Sequence, residues 1–302
     1  FMRGVWLILL ELTIIDASWG FLFGGMWVLQ VIWAIGWSMI VLGFLIRLPL
    51  PWIGAIGIAM IGHHNLLDLI PTDSALYQND LFAILHVQRP LNSTGTSFMG
   101  LPTVWVLYPL IPWIGVMALG YRFGSMLVKP KRDLICIATG SFMIVSFVVL
   151  RAFSLYGDTT VWSSGEDGPR NLMTFLHTQK YPPSLQFLLM TLGPAILSMP
   201  LLERIAKAAP KLIEPVRVFG NVAMFYYILH IPLTHITSGL LSKVLYDEWV
   251  MWAFTGQFPE GYTPRLWLVY VAWIGIVLTL YFPCAWYARY KRRHRYWWMV
   301  YV

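Results

Sequence analysis

Residues 104–153 read VWVLYPLIPWIGVMALGYRFGSMLVKPKRDLICIATGSFMIVSFVVLRAF, and this stretch decides the fold. Two long apolar runs flank a short segment that carries the cationic residues Lys129, Lys131 and Arg132. Each run approaches the roughly 20 helical residues that cross a hydrocarbon core about 30 Å thick. Cationic loops stay on the cytoplasmic side of a membrane. The stretch therefore predicts two membrane-spanning helices joined by a cytoplasmic loop.

The same alternation of apolar runs and short polar segments extends along the whole chain. We predict an all-α fold, a polytopic transmembrane helical bundle that forms a single integral-membrane domain over residues 1–302. The bundle has about eight spans. They are Val5–Ile15, Val28–Leu45, Trp52–Ile70, Val104–Tyr121, Leu134–Phe153, Leu185–Leu202, Phe219–Leu241 and Leu266–Tyr287.

The positive charges give this bundle an orientation. With Arg3 on the cytoplasmic side, 15 of the 21 Lys and Arg residues fall on that face. They are Arg3, Arg47, Arg122, Lys129, Lys131, Arg132, Arg204, Lys207, Lys211, Arg217, Arg289, Lys291, Arg292, Arg293 and Arg295. The other six are Arg89, Arg151, Arg170, Lys180, Lys243 and Arg265. This bias predicts a cytoplasmic C-terminus.

Composition agrees with a membrane protein. Hydrophobic residues make up 58% of the chain and charged residues only 12%, whereas soluble domains carry about 25% charged residues. Loops that face anionic lipid account for the net charge of +7, so we expect the lipid bilayer and no nucleic acid as partner. The two cysteines, Cys136 and Cys284, are too few for a disulfide framework. No metal-ligand spacing such as H-E-x-x-H is present, so we expect no metal.

Ionisable residues inside predicted spans are the candidates for chemistry, because such groups are costly in lipid and usually face the bundle interior. His64 and Asp68 are four residues apart on the third span, which predicts a hydrogen bond that would orient the imidazole. His230 and His235 flank Pro232 on the seventh span, where the proline predicts a kink.

The predicted orientation places these four groups in the outer half of the membrane. We expect them to line one polar cavity together with the loop residues His177 and Lys180. Two interpretations stay open for each histidine. It is either a general base or an interhelical hydrogen-bonding group.

Six segments carry a resemblance to a known family. They are Arg3–Thr13 (RGVWLILLELT), Gln30–Met39 (QVIWAIGWSM), Gly62–Asp68 (GHHNLLD), Pro109–Met117 (PLIPWIGVM), Lys180–Leu185 (KYPPSL) and Tyr227–Leu233 (YILHIPL). They occur in the family's order over essentially the whole chain. The sequence resembles bacterial members of the heparan-α-glucosaminide N-acetyltransferase family of multispan membrane acyltransferases.

The resemblance implies a donor, an acceptor and a set of site residues. The donor would be acetyl-CoA or another acyl-CoA from the cytosol, and the acceptor a sugar-like molecule on the outer face of the bacterial inner membrane. The family begins with about two more helices, the first bearing its catalytic histidine, and Phe1 aligns near the third. The resemblance carries over Asn65, Asp68, Lys180, Ser184 and His230 as residues that line the acyl-transfer cavity. Together with the candidates found from the residues themselves, we assign His64, Asp68 and His230 to catalysis, Asn65, Lys180, Ser184 and His235 to the substrate, and Lys129, Lys131 and Arg132 to the acyl-CoA phosphates.

Two other functions stay open at this stage. The chain is alternatively a non-catalytic accessory subunit of a larger membrane complex, or part of a homo-oligomer, with its aromatic-rich spans facing partner helices. A transporter is the third hypothesis, but no internal repeat supports it.

Overall fold

Long apolar helices dominate the computed structural model, which describes residues 1–20, 25–91, 103–163, 165, 168–251, 258–294, 296 and 299. The helices are α1 Met2–Leu10, α2 Asp16–Trp19, α3 Val31–Leu45, α4 Leu50–His63, α5 Ala75–Gln78, α6 Asp80–Leu85, α7 Leu110–Leu127, α8 Arg132–Ala152, α9 Pro169–Leu176, α10 Leu185–Ala208, α11 Pro210–Asn221, α12 Ala223–Tyr246 and α13 Leu266–Arg293. A π-helical turn, Glu11–Ile15, follows α1, and a 3₁₀-helix, His64–Leu69, follows α4. Arg295 and the loop carboxylates Glu166 and Asp167 lie outside the described residues.

The fold is mostly helical but not strictly all-α. The strands β1 Met26–Leu29, β2 Arg89–Pro90 and β3 Thr103–Val106 form a three-stranded sheet, in which β3 is parallel to β1 and antiparallel to β2. Val104, Trp105 and Val106 prefer an extended backbone, and Pro109 disfavours helix at the residue before it. The predicted fourth span therefore begins at Leu110 instead of Val104, and it extends to Leu127.

Within the described residues, four helices are long and apolar enough to cross a membrane, namely α7, α8, α10 and α13. The pair α11 and α12 is a fifth if it counts as one span, although it bends by 82°. These helices indicate an integral membrane protein. Eight spans are not confirmed, because α1, α3 and α4 have only 9, 15 and 14 residues.

The chain divides into two compact units. The first comprises residues 1–11 and 26–205, and the second comprises residues 12–25 and 206–302. In the first unit, α4 packs along α7 at a close approach of Gly57 to Gly115. A Cβ atom at Gly57 would lie 2.9 Å from the carbonyl oxygen of Gly115. Small residues at such crossings let helix backbones pack tightly in membranes.

The first unit has two polar ends. The start of α4 lies beside the last turns of α7, since a Cβ atom at Gly54 would lie 2.9 Å from Cγ of Arg122. The turn from α7 to α8 is at that end too, because Arg132 pairs with Glu203 near the end of α10. Arg132 and Arg151 lie at opposite ends of α8, about 28 Å apart at 1.5 Å per residue. This separation matches the hydrocarbon core of a bilayer.

In the second unit, α13 packs against α11 and α12, and α2 packs against α12. Its core joins Val218 and Val222 to one face of α13. That face contributes Cys284, Ala285, Tyr287 and Ala288.

Candidate functional site

One end of the first unit holds a polar network built around the 3₁₀-helix. The Asn65 side chain accepts a hydrogen bond from the backbone N–H of Leu185 (2.9 Å), at the start of α10. Its Nδ2 donates to Oδ2 of Asp68 (2.8 Å). Asn65 and Asp68 are aligned because a 3₁₀-helix stacks residues three apart.

Asp68 binds His86 and not His64. The other carboxylate oxygen of Asp68, Oδ1, accepts from Nε2 of His86 (2.8 Å). The predicted pairing of His64 with Asp68 assumed an α-helix, in which residues four apart share a face. The helix tightens to 3₁₀ at His64, so that register is lost. His86 is buried, and its Nδ1 has no hydrogen-bond partner among the described residues.

His64 is held between two backbone carbonyl groups. Its Nδ1 contacts the oxygen of Ile61 and its Nε2 the oxygen of Pro183, both at 2.9 Å. Carbonyl oxygens only accept, so both contacts are hydrogen bonds only when both ring nitrogens carry a proton. The ring is 2% exposed. This geometry joins the 3₁₀-helix to the start of α10 and leaves neither nitrogen available to a substrate.

Ser184 caps α10. Its hydroxyl accepts from the backbone N–H of Phe187 (3.0 Å) and donates to Oδ2 of Asp158 (2.6 Å). The buried Asp158 also lies 4.0 Å from the guanidinium of Arg151. Arg151 in turn donates to the carbonyl oxygens of Thr160, Thr174, Phe175 and His177. These bonds tie residues 158–160 and 174–184 to the end of α8.

The pKa values of two tyrosines in the same loop, Tyr156 and Tyr181, are shifted in opposite directions. Burial and the nearby negative charge of Asp68 raise the pKa of Tyr156, whose hydroxyl donates to the carbonyl oxygen of Gly62 (2.9 Å). Burial opposes ionisation of Tyr181 too, but hydrogen bonds with Tyr108 and Lys180 and the Lys180 charge leave the pKa of Tyr181 lowered. Lys180 is exposed, with Nζ 5.0 Å from the centre of the Tyr181 ring.

The residues assigned to acyl-CoA phosphates lie at the other end of the first unit. Lys129 and Lys131 are exposed in the turn between α7 and α8. Arg132 forms ion pairs with Glu203 and, at 3.5 Å, with Asp133, so its charge is partly neutralised.

The second unit contains a cavity of about 440 Å³ between α12 and α13. Tyr226 and His230 line it on α12, Trp273 and Ile276 on α13, and Arg265 lies at the start of α13. Several hydroxyl groups on the α12 wall are already bonded to backbone carbonyls. Those of Thr234, Thr237, Ser238 and Ser242 donate to His230, Leu233, Val250 and Glu248. The remaining polar side chains of the cavity are the imidazole of His230, the guanidinium of Arg265, the hydroxyls of Tyr226, Tyr246 and Tyr262, and that of Thr263.

His230 has the geometry of a base. Its Nδ1 lies 2.6 Å from the carbonyl oxygen of Tyr227, which only accepts, so Nδ1 carries the proton. Its Nε2 makes no hydrogen bond to any described residue and, in the neutral ring, holds a free lone pair. The ring stacks on Tyr226 with centroids 5.3 Å apart and planes 4° apart. The backbone and the tyrosine thus fix both the tautomer and the ring plane.

His235 points elsewhere. It is five positions after His230, which places the two side chains about 140° apart around the helix. Its Nδ1 contacts the carbonyl oxygen of Met251 (3.0 Å), and its ring packs edge-on against Trp19 at 5.4 Å. His235 therefore connects α12 to α2 and to the segment after α12.

The structure thus brings His64, Asn65, Asp68 and Ser184 together in one network of the first unit, and it places His230 and His235 in the second. Sequence reasoning missed His86, Tyr156 and Asp158. Their polarity within two long loops was the signal that the sequence offered, since the contacts of His86 with Asp68, of Tyr156 with Gly62 and of Asp158 with Ser184 join residues 18 or more apart. Among the described residues, no group of three or more His, Cys, Asp or Glu side chains is placed to hold a metal ion.

Comparison of the chain with protein-family models, with characterised proteins and with solved structures gave no match. The resemblance to the acetyltransferase family therefore rests on the sequence motifs alone.

Proposed function

We propose that this protein is a membrane-embedded acyltransferase that moves an acyl group from acyl-CoA to a sugar-like acceptor, with His230 as general base. The observation that carries the proposal is the state of this one side chain. Its Nδ1 proton is bound to the carbonyl of Tyr227, and it lines a cavity where Nε2 makes no hydrogen bond to any residue that the structure describes. A base needs this combination of a fixed tautomer and an open lone pair.

The proposed step is a direct transfer. Nε2 of His230 removes a proton from the amine or hydroxyl of the acceptor as that group attacks the thioester carbonyl carbon. The new C–N or C–O bond forms, the C–S bond breaks, and the proton passes from the imidazolium to the leaving thiolate. The products are the acylated acceptor and free CoA, so no oxidant or further reactant is required.

The position of His230 along α12 supports transfer across the membrane. At 1.5 Å per residue it lies about 10 Å from the Ala223 end and about 24 Å from the Tyr246 end, so it is nearer the end predicted to be cytoplasmic than to the outer half in which the sequence placed it. A donor arm entering from the first end and an acceptor entering from the second would meet at the imidazole. The cavity volume is also within the usual range of about 300–1,000 Å³ for small-molecule sites.

The proposal includes the finer topology that the sequence predicts. Eight spans would place the C-terminus in the cytoplasm and the protein in the bacterial inner membrane. Lys129 and Lys131, together with Arg132, would then meet the phosphates of acetyl-CoA by charge attraction from the cytoplasmic side. We assign His64 and Asp68 to positioning the loop around residues 181–185 and not to proton transfer, because His64 contacts the carbonyl of Pro183 and Asp68 accepts from His86.

Transfer of a radiolabelled acetyl group from acetyl-CoA to glucosamine, in proteoliposomes, tests this function. We expect His230→Gln to lower the rate by about 10²–10⁴-fold, the usual contribution of a general base. His63→Gln is the matched control, since His63 also bonds a backbone carbonyl, that of Ala59, but is exposed. Equal rates for the wild type and His230→Gln would contradict the proposal.

One observation favours the accessory-subunit hypothesis as a second candidate. The residues that the resemblance assigns to the transfer cavity, such as Asn65 and Ser184, are bonded to the backbone at the start of α10. A structural subunit needs this order but no open base. Purification in mild detergent tests it, since fixed stoichiometric partners and no acetyl transfer would favour this candidate over the enzyme.

A further inference from the structure

A second surface of the molecule is independent of the cavity and of any transfer reaction. α11 bends by 82° from α12, so the two helices are nearly perpendicular. α12 has 24 residues and is about 36 Å long, so its length alone exceeds the hydrocarbon core of about 30 Å, although it reaches the apolar content of the four spans only together with α11. If α12 crosses the membrane, α11 runs along its surface.

The sequence of α11 suits such a position. Val218 is buried against the face of α13 that holds Cys284 and Tyr287. Leu212 and Val216 are four residues apart, so they adjoin on a different side of the helix. Both are largely exposed, at 73% and 65%. An exposed apolar pair next to a packed face is expected where a helix meets lipid.

Cations lie along α11 and at the end of the helix that packs against it. Lys207, Lys211 and Arg217 lie in or beside α11, and the last turns of α13, just beyond its contact with α11, add Arg289, Arg292 and Arg293. None of the six forms an ion pair with a carboxylate among the described residues. Glu214 is the one acidic residue of α11. The surface is thus strongly positive and uncompensated.

We propose that α11 and the last turns of α13 form a binding site for the headgroups of anionic phospholipids. The phosphates meet the six cations at the bilayer surface, while Leu212 and Val216 enter the acyl-chain region. Charge complementarity selects this occupant, since each Lys or Arg near an anionic leaflet adds about 1 kcal/mol of attraction.

Spin labelling tests the position of α11. Nitroxides at Leu212→Cys and Glu214→Cys are compared in liposomes, with native Cys136 and Cys284 buried and protected. We expect the label at 212 to collide mainly with oxygen, which concentrates in lipid, and the label at 214 mainly with a water-soluble nickel complex. Equal exposure of both labels to nickel would exclude a surface-embedded helix.

Native mass spectrometry of the full chain tests the charge. We expect more bound phosphatidylglycerol than phosphatidylcholine, and a loss of affinity of about fivefold for each cation removed in Lys211→Gln/Arg217→Gln. Lys243→Gln/Arg170→Gln removes the same charge elsewhere and should change nothing. No preference for phosphatidylglycerol, or unchanged binding in the first variant, would overturn the proposal. If Lys211→Gln/Arg217→Gln instead lost acetyl-CoA binding and kept its phosphatidylglycerol binding, these cations would belong to the acyl-donor site and the lipid proposal would fail. The transfer assay with His230→Gln tests the proposed function separately from both results.

Discussion

At the scale of single residues, Asp68 links two side chains of the polar network in the first unit. Its carboxylate accepts from the buried His86 and from Asn65 at 2.8 Å each. Asp68→Asn keeps the shape but loses the charge-assisted bond, so we expect the free energy of unfolding to fall by about 2 kcal/mol. Thermal unfolding in detergent measures this. Asp73→Asn, at an exposed position of the same loop, should leave the midpoint unchanged, and an equal effect of both changes would contradict the role of Asp68.

The two loop tyrosines allow a prediction on pH. The pKa of Tyr181 is lowered and that of Tyr156 is raised from the ordinary value near 10.0. Between its folded and unfolded pKa, Tyr181 binds fewer protons in the folded chain, so its contribution to stability increases with pH and is lost as the pH falls. Tyr156 behaves in the opposite way, losing its contribution as the pH rises through its folded pKa.

Ultraviolet titration of tyrosinate, with Tyr181→Phe and Tyr156→Phe subtracted in turn from the wild type, separates the two groups. Tyr181→Phe should remove an early component of the titration and Tyr156→Phe a late one. Identical difference curves would show that Lys180 and Tyr108 do not act on Tyr181 as the structure indicates.

The sequence located this network but not its pairing. That His64, Asn65 and Asp68 are polar and close together follows from their spacing alone. That Asp68 turns toward His86 depends on the helix tightening to 3₁₀ at His64, and on a loop that brings His86 back from 18 residues away. No local pattern contains that information.

At the scale of helices, the crossing of α8 and α10 depends on the absence of a side chain. A Cβ atom at Gly140 would lie 2.6 Å from the backbone nitrogen of Leu197 and 2.8 Å from the carbonyl oxygen of Gly193. Gly140→Ala should therefore separate the helices and lower the unfolding midpoint, although alanine favours helix. Gly120→Ala, where no atom lies within 4 Å, should leave the midpoint equal or slightly higher. The reverse order would contradict the crossing.

Apolar content gave the positions of the long helices well but their ends poorly. α8 begins and ends within two residues of its predicted bounds, whereas the predicted second span loses Val28 and Leu29 to β1. Both kinds of segment are apolar, and only pairing with β3 decides between them. Glu11 lies within the first predicted span, where a carboxylate is costly. Its carboxylate has a partner, since it accepts from the backbone N–H of Trp33 near the start of α3.

At the scale of the whole molecule, the distribution of cations predicts a topology in which the two ends of the first unit face opposite sides of the membrane. The basic turn at Lys129–Lys131 lies at one end, and the network around Asp68 lies at the other. The number of spans is a different matter, because it depends on whether short helices cross. α4 has 14 residues, but with the 3₁₀-helix after it, at about 2.0 Å per residue, it reaches about 33 Å.

The segment between α3 and α4 therefore decides the span count. Because α4 begins beside Arg122 and runs antiparallel to α7, we expect Arg47 to share a face with Lys131, opposite Asp73. Single cysteines at these exposed positions, with Cys136 and Cys284 buried, are labelled in sealed vesicles of known orientation by a membrane-impermeant maleimide. Arg47→Cys and Lys131→Cys should react only from the cytoplasmic side, and Asp73→Cys only from outside. If Arg47→Cys is labelled from the outside, as Asp73→Cys is, α4 does not cross the membrane. The bundle then contains fewer spans than its charge pattern predicts.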